Sequence, residues 1–128
     1  MYITSYSVIV TRGIFVDMVV EDEHYYNNRY VVVNDIVEFE RVYMIDEYKF
    51  NNKTYEALWK VYELLPSYIR SKTTLPCWFG DEENGDRYFI SASMEMSGLQ
   101  FWGKLPIGDF LLWENKLNEL IKNFPFKY

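Results

Sequence analysis

The stretch WFGDEENGDRYFISASMEMSGLQFW, residues 78–102, decides the fold of this chain. It predicts strand, acidic turn, strand, tight turn and strand, with the turns at residues 81–85 and 96–98. Between the turns, apolar and polar residues alternate, and the residues that share one face of 88–95 are Tyr88, Ile90, Ala92 and Met94. The opposite face then carries Phe89, Ser91, Ser93 and Glu95. We therefore expect this stretch to form the structural centre of a sheet.

Upstream of this stretch, short alternating runs predict further strands. We place them at residues 2–12, 14–20, 30–33 and 36–44, and expect one more extended piece at 48–50. Residues 21–29 are polar and predict a loop, and residues 75–79 predict the strand that leads into the centre.

In two segments the apolar residues recur with the helical period of 3.6 instead of the strand period of 2. The first follows a candidate N-cap at Asn51 and Asn52, and its predicted inward stripe is Tyr55, Leu58, Trp59, Tyr62 and Leu65. Pro66 ends this helix, and residues 66–72 predict a short second helical turn. The last helix begins after Asp109 as N-cap and ends at Pro125, with the stripe Phe110, Trp113, Leu117, Leu120, Ile121 and Phe124.

The order of these segments predicts an α+β fold. We expect an antiparallel or mixed sheet of about five to seven strands, with two amphipathic helices packed on one face. The 128 residues contain no repeat and no linker, and this length suits a single domain spanning residues 1–128.

The charge of the chain narrows the classes of partner. The net charge of −6 argues against nucleic acid and anionic membrane as partners, because both require a basic surface. It favours a basic protein partner, or serves solubility alone. Residues 21–47 hold eight acids and two arginines, and residues 81–109 hold six acids and two bases, whereas residues 48–80 have five bases and two acids. The predicted strand-rich parts are therefore acidic and the first helix is basic.

The aromatic content is high for a chain of this length. Aromatic residues make up 20% of the sequence, too many for a single core to bury completely. Exposed Tyr and Trp are typical of binding surfaces. The alternative is that the abundance of tyrosine reflects an AT-rich genome.

The compartment follows from what the sequence does not contain. One cysteine excludes an internal disulfide, and neither a signal peptide nor a transmembrane run is recognisable. We therefore expect a cytoplasmic protein.

No motif for catalysis, cofactor binding or metal binding is present. His24 follows three acids without spaced ligands, and the acidic turn at 81–86 lacks the spacing of a calcium loop. Cys77 has no local partner that would activate it, so we expect a buried thiol. Glu38 and Glu40 share one face of a predicted strand, and we expect this face to be solvent-exposed rather than an acid–base site. We therefore expect no enzyme activity, no cofactor and no metal site.

The face of the sheet turned away from the helices is the candidate binding surface. It would carry Phe89 and Trp102 as aromatic anchors among acids from Glu38, Glu40 and Glu95. The alternative is that the N-terminal strands cover this face, as in a sandwich or barrel.

The C-terminal part of the chain resembles small immunity proteins of bacterial polymorphic-toxin and contact-dependent inhibition systems. The resemblance covers roughly the last 40 residues: a strand ending in acid-x-Ser-Gly-Leu at 95–99, a second strand, then Asp109-Phe110 and Trp113-Glu114 early in a helix. It implies a bacterial, cytoplasmic protein that binds and blocks one cognate toxin domain, and it implies no catalytic residues.

Charge and resemblance together predict an inhibitor of a basic nuclease toxin. The residues expected to steer or anchor this partner are Glu21, Asp22, Glu23, Glu38, Glu40, Asp81, Glu82, Glu83, Asp86, Phe89, Glu95 and Trp102. Two alternatives remain, namely a phage or plasmid inhibitor of a host defence nuclease, and a small-molecule-binding domain with a pocket between sheet and helices. An exposed edge strand would also allow a homodimer.

Overall fold

The computed structural model describes residues 16–17, 25–70, 75–95 and 98–126. Within them the strands are β1 (Val16–Asp17), β2 (Tyr25–Val33), β3 (Ile36–Tyr43), β4 (Tyr68–Ile69), β5 (Cys77–Trp78), β6 (Phe89–Glu95) and β7 (Gly98–Pro106). The helices are α1 (Asn52–Leu64) and α2 (Ile107–Ile121). The predicted strand at 2–12, most of that at 14–20 and the loop residues 21–24 lie outside the described residues.

The strands form one seven-stranded sheet in the order β1-β2-β3-β7-β6-β5-β4. Every neighbouring pair runs antiparallel, so the predicted α+β fold is confirmed and the mixed-sheet alternative is not realised in the described strands. Asn34 and Asp35 join β2 to β3 with φ of 51° and 66°, the left-handed pair typical of a two-residue hairpin turn. After α1 the chain resumes at β4, at the far edge, and returns through β5 and β6 to β7, which pairs with β3 in the middle.

The central strands β3 and β7 separate two faces of the sheet by strict alternation. Val37 pairs with Leu105 on the inner face, which the helices cover, and Glu40 pairs with Trp102 on the opposite, outer face. The inner residues of β3 and β7 are buried, as the alternating sequence predicts. β7 therefore carries core residues and candidate site residues in turn.

Helix α1 starts as predicted but presents a different stripe to the core. The Asn51 side chain accepts a hydrogen bond from the Thr54 amide at 3.0 Å, which confirms the N-cap. The predicted inward positions of Tyr55 and Trp59 are wrong, since they are 41% and 50% exposed. The buried residues on this side are Leu58, Val61, Tyr62 and Leu65. Val61 completes a narrower stripe, and the two large rings lie along its margin.

Helix α2 begins two residues before the predicted cap. Pro106 occupies the N-cap position without a side-chain hydrogen bond, and the Ile107 amide donates to the Asp35 carbonyl at 2.9 Å. A backbone carbonyl of the β2–β3 turn thus accepts the hydrogen bond from a helix N-terminal amide that a capping side chain would otherwise accept. Asp109 is not the cap, although its charge in the first turn still favours the helix. The buried residues Phe110, Trp113, Leu117 and Ile121 agree with the predicted stripe, while Leu120 and Phe124 are partly buried against the core.

Three local predictions are wrong. Residues 25–29 belong to β2 and are not loop, because they pair with the long strand β3 around a bulge between Tyr26 and Arg29. The expected extended piece at 48–50 is replaced by a 3-10 turn at Glu47–Lys49. The expected helical turn at 66–72 is replaced by β4 at Tyr68–Ile69, because it pairs with β5. At 25–29 and at Tyr68–Ile69, pairing with a neighbouring strand outweighs the weak secondary-structure preference of the segment itself.

Gly103, the residue after Trp102 on β7, permits close contact between β6 and β7. A methyl group at this position would clash with the Phe89 carbonyl oxygen and lie 2.9 Å from the Ile90 Cα. We expect Gly103→Ala to lower the free energy of unfolding by about 2–3 kcal/mol, as overpacking against backbone does. Urea unfolding followed by tryptophan fluorescence measures this loss.

The matched control for this substitution is Gly108→Ala in the first turn of α2. No atom would lie within 4 Å of the added methyl group at Gly108, so we expect a gain of about 0.5–1 kcal/mol from helix propensity. Equal effects of the two substitutions would contradict the close packing of β6 and β7 at Gly103.

Candidate functional site

Trp102 lies on the outer face of β7 and is half-buried there. Its backbone neighbours are Glu40 on β3 and Ser91 on β6. Its indole Nε1 donates a hydrogen bond to the Glu82 Oε1 at 3.2 Å. The ring is therefore held between two strands and the acidic turn, with one carboxylate fixed at its edge.

A depression of about 400 Å³ surrounds Trp102 on the outer face. We call it the Trp102 depression, and its lining residues are Arg29, Glu38, Phe39, Glu40, Glu82, Phe89, Trp102, Gly103 and Lys104. Five of the residues predicted from the sequence meet here, namely Glu38, Glu40, Glu82, Phe89 and Trp102. They come from β3, the acidic turn, β6 and β7, which only the folded sheet brings together.

Hydrogen bonds hold two of these carboxylates in place. The Gln100 Nε2 donates to the Glu40 Oε2 at 2.6 Å, and the Arg29 guanidinium contacts the Glu38 Oε1 at 2.8 Å. Because the Arg29 and Glu38 side chains are 59% and 46% exposed, their pairing is weak and remains open to competition. Carboxylates arranged around an indole ring are the chemistry that binds a guanidinium or an ammonium group.

The predicted acids of the acidic turn have two different roles: two stabilise the turn and one contacts Trp102. The Asp81 side chain accepts from the Glu83 amide at 3.0 Å, and the Asp86 side chain accepts from the Asp81 amide at 2.8 Å. These two acids stabilise the turn itself, whereas Glu82 reaches Trp102. Glu83 is exposed and does not line the Trp102 depression.

The structure does not describe the side chains of four other predicted acids. Glu21, Asp22 and Glu23 lie outside the described residues, as does His24. Glu95 belongs to β6 opposite Gly98, and its side chain lies outside the description.

The outer face is accessible in one part and buried in another. Trp102, Phe89 and Lys104 keep contact with solvent, whereas Val42, Ser91 and Cys77 on the same face are 4%, 6% and 2% exposed. The alternative that the N-terminal strands cover this face is not tested, because the predicted strand at 2–12 and most of that at 14–20 lie outside the described residues.

Cys77 is buried, as the sequence predicts. Burial raises the pKa of its thiol, and the nearby charges of Asp81, Asp86 and Glu83 raise that pKa further. The neutral, unreactive thiol is the form that this environment favours.

Sequence reasoning missed the basic and amide residues of the site. Lys104 alternates with Trp102 on the same strand face, so its position beside the indole follows from the period of 2. Gln100 occupies the other alternate position and contacts Glu40. Arg29 was missed because its segment was predicted to be loop, and it is part of β2 instead.

The described residues provide no further chemical signature. No group of three or more His, Cys, Asp or Glu side chains among them is arranged to hold a metal ion. Neither described helix has the length and apolar run that crossing a bilayer requires. The chain matches no protein-family model, no curated protein and no solved structure.

Proposed function

We propose that this protein is an acidic protein-binding module of the immunity type. It binds one cognate bacterial toxin domain, a basic nuclease, in the cytoplasm and neutralises it by occupying its surface, without catalysis of its own. The observation that carries the proposal is the Trp102 depression, where three carboxylates meet the two predicted aromatic anchors, Phe89 and Trp102, on an accessible sheet face.

The chemistry of the depression supports a basic protein as the partner. Trp is among the residues most often found as energetic anchors of interfaces, particularly when half-buried in a pocket with a polar rim. Glu38, Glu40 and Glu82 supply negative charge beside that anchor. The net charge of −6 adds long-range attraction, which speeds association with a basic partner.

Trp102→Ala tests the anchor. The partner is first captured on the immobilised protein from a lysate of the cells that encode it and identified by mass spectrometry. We expect Trp102→Ala to weaken the purified complex about 30-fold or more, as loss of a central tryptophan anchor does. We also expect one equivalent of the unsubstituted protein to abolish the nuclease activity of the partner.

Trp59→Ala is the matched control, because Trp59 is 50% exposed on α1, on the helix side of the sheet. It should leave the affinity unchanged. Equal affinity of the Trp102→Ala and Trp59→Ala variants would exclude Trp102 as an anchor. An affinity that hardly changes between low and high salt would contradict the electrostatic part of the proposal.

A further inference from the structure

A second depression, of about 370 Å³, lies next to the first on the outer face. Its floor is aliphatic, from Val31, Val33 and Ile36, and Arg87 and Lys104 stand at its rim. We call it the Arg87 depression. It differs from the Trp102 depression in the sign of its charge and in its aliphatic floor.

The lining of the Arg87 depression carries a net positive charge, whereas the whole chain is negatively charged. Arg29 and Glu38 also line it, and their opposite charges, 2.8 Å apart, offset each other in the net charge of the lining. Within the described part of the chain, neither Arg87 nor Lys104 forms an ion pair. Two cations at the rim of one depression, in a protein of net charge −6, create a local site for an anion.

Arg87 is also positioned by its neighbour. Its guanidinium carbon lies 5.2 Å from the centroid of the Tyr88 ring, a stacking distance for a cation and an aromatic face. This contact restricts the side chain near the depression, so that less conformational entropy is lost when it binds an anion. A planar guanidinium matches the two oxygens of a carboxylate.

The aliphatic floor determines what else the ligand must carry. Val33 is 36% exposed and Val31, two residues before it on β2, is 8% exposed, so the floor presents apolar surface beside the cations. An inorganic anion would leave that surface in water, whereas an anion with an apolar chain covers it. The volume is near the lower end of the range of about 300–1,000 Å³ for ligand sites, which selects a small ligand.

We infer that the Arg87 depression binds a small amphipathic carboxylate. Its carboxylate contacts Arg87 and Lys104, and its aliphatic part lies on Val31, Val33 and Ile36. This site stands on the outer face, away from the space between sheet and helices, and it does not depend on the proposed toxin partner.

Octanoate is the probe for this site, followed by amide NMR spectra of the full chain. We expect octanoate to shift the amide signals of β2, the β2–β3 turn and residues 87–88. With about ten non-hydrogen atoms and an open site, its dissociation constant should be on the order of 1 mM. Octylamine and octanol, which share the chain but not the anion, should bind at least about fivefold more weakly.

The double variant Arg87→Gln/Lys104→Gln should weaken octanoate binding about fivefold or more, because both cations are removed. Lys60→Gln/Lys116→Gln is the matched control, with the same change in net charge at exposed positions on α1 and α2. It should bind octanoate as the unsubstituted protein does.

Four results would overturn the inference. They are the absence of octanoate-induced shifts up to about 10 mM, well above the expected dissociation constant; shifts that map elsewhere; equal binding of octylamine or octanol; and equal losses in the two double variants. None of these results bears on whether the Trp102 depression binds a protein partner.

Discussion

Trp78→Ala is expected to lower the free energy of unfolding by about 3–5 kcal/mol, the range for removing a buried tryptophan. Trp78 is fully buried, and its ring centroid lies 5.1 Å from those of Tyr62 on α1 and Trp113 on α2. It also lies 6.3 Å from Phe101 on β7. One side chain from a two-residue strand thus joins both helices to the central strand, and its removal leaves a cavity that rigid neighbours cannot close.

Chemical unfolding in urea, followed by circular dichroism, measures this loss. The matched control is Trp59→Ala on α1, which removes the same side chain from a half-exposed position and should cost less than about 1 kcal/mol. Similar losses at the two positions would contradict the central role of Trp78.

Trp78→Phe tests how much stability is retained by a smaller aromatic ring that cannot donate the hydrogen bond of the indole. The Trp78 Nε1 donates to the Tyr62 carbonyl at 3.0 Å, and the Leu65 amide donates to the same oxygen at 3.3 Å. Because the carbonyl retains the Leu65 amide, the lost hydrogen bond and smaller ring should together cost only about 1–2 kcal/mol. A loss as large as that of Trp78→Ala would contradict the expectation that an aromatic ring at this position retains most of the stability.

The ion pair of Arg41 and Glu114 is expected to give the second large effect. Arg41 is an inner-face residue of β3 whose side chain is only 3% exposed, and its Nη2 lies 3.3 Å from the Glu114 Oε2 on α2. The guanidinium also stacks at 5.2 Å from the Tyr30 ring centroid and 5.8 Å from that of Phe110. We expect Glu114→Leu to cost about 3 kcal/mol or more, because a buried cation loses the carboxylate of Glu114.

A double-mutant cycle tests this pair. The variant Arg41→Met/Glu114→Leu should regain at least about 1 kcal/mol over the sum of the single losses, because it removes both charges. The control cycle uses Arg70 and Glu63, which are closer, at 2.7 Å, but 80% and 40% exposed. We expect its coupling to stay below about 1 kcal/mol, since water screens the pair. A larger coupling for the exposed pair would contradict the role given to burial.

These substitutions also separate stability from binding. Trp78, Arg41 and Glu114 lie on the helix side of the sheet, whereas Trp102 and Lys104 lie on the outer face. The strand β7 contributes to both faces, because Phe101 lies in the core and the next residue, Trp102, lies on the outer face. Variants of the inner face should therefore lower the free energy of unfolding, and variants of the outer face should act on ligands.

The local part of the fold was predictable from the sequence. The alternation in 36–44 and 88–105 fixes which side chains share a face, and the Asn51 cap and the α2 stripe follow from helical period. The errors arise where a segment has little preference of its own. Residues 25–29 are polar yet form β2, and Tyr68–Ile69 forms β4, since each finds a partner strand.

The sequence by itself determined that Phe89 and Trp102 stand on the face opposite the helices, because successive side chains of a strand point to opposite sides. It also determined the acidic charge of the chain. Only the tertiary structure decided that Glu38, Glu40 and Glu82 meet at Trp102 while Asp81 and Asp86 hold the turn. It likewise set Arg87 and Lys104 around an aliphatic floor. The physical reason is that alternation is a property of the local backbone, whereas the meeting of distant side chains depends on strand order and register, which long-range packing selects.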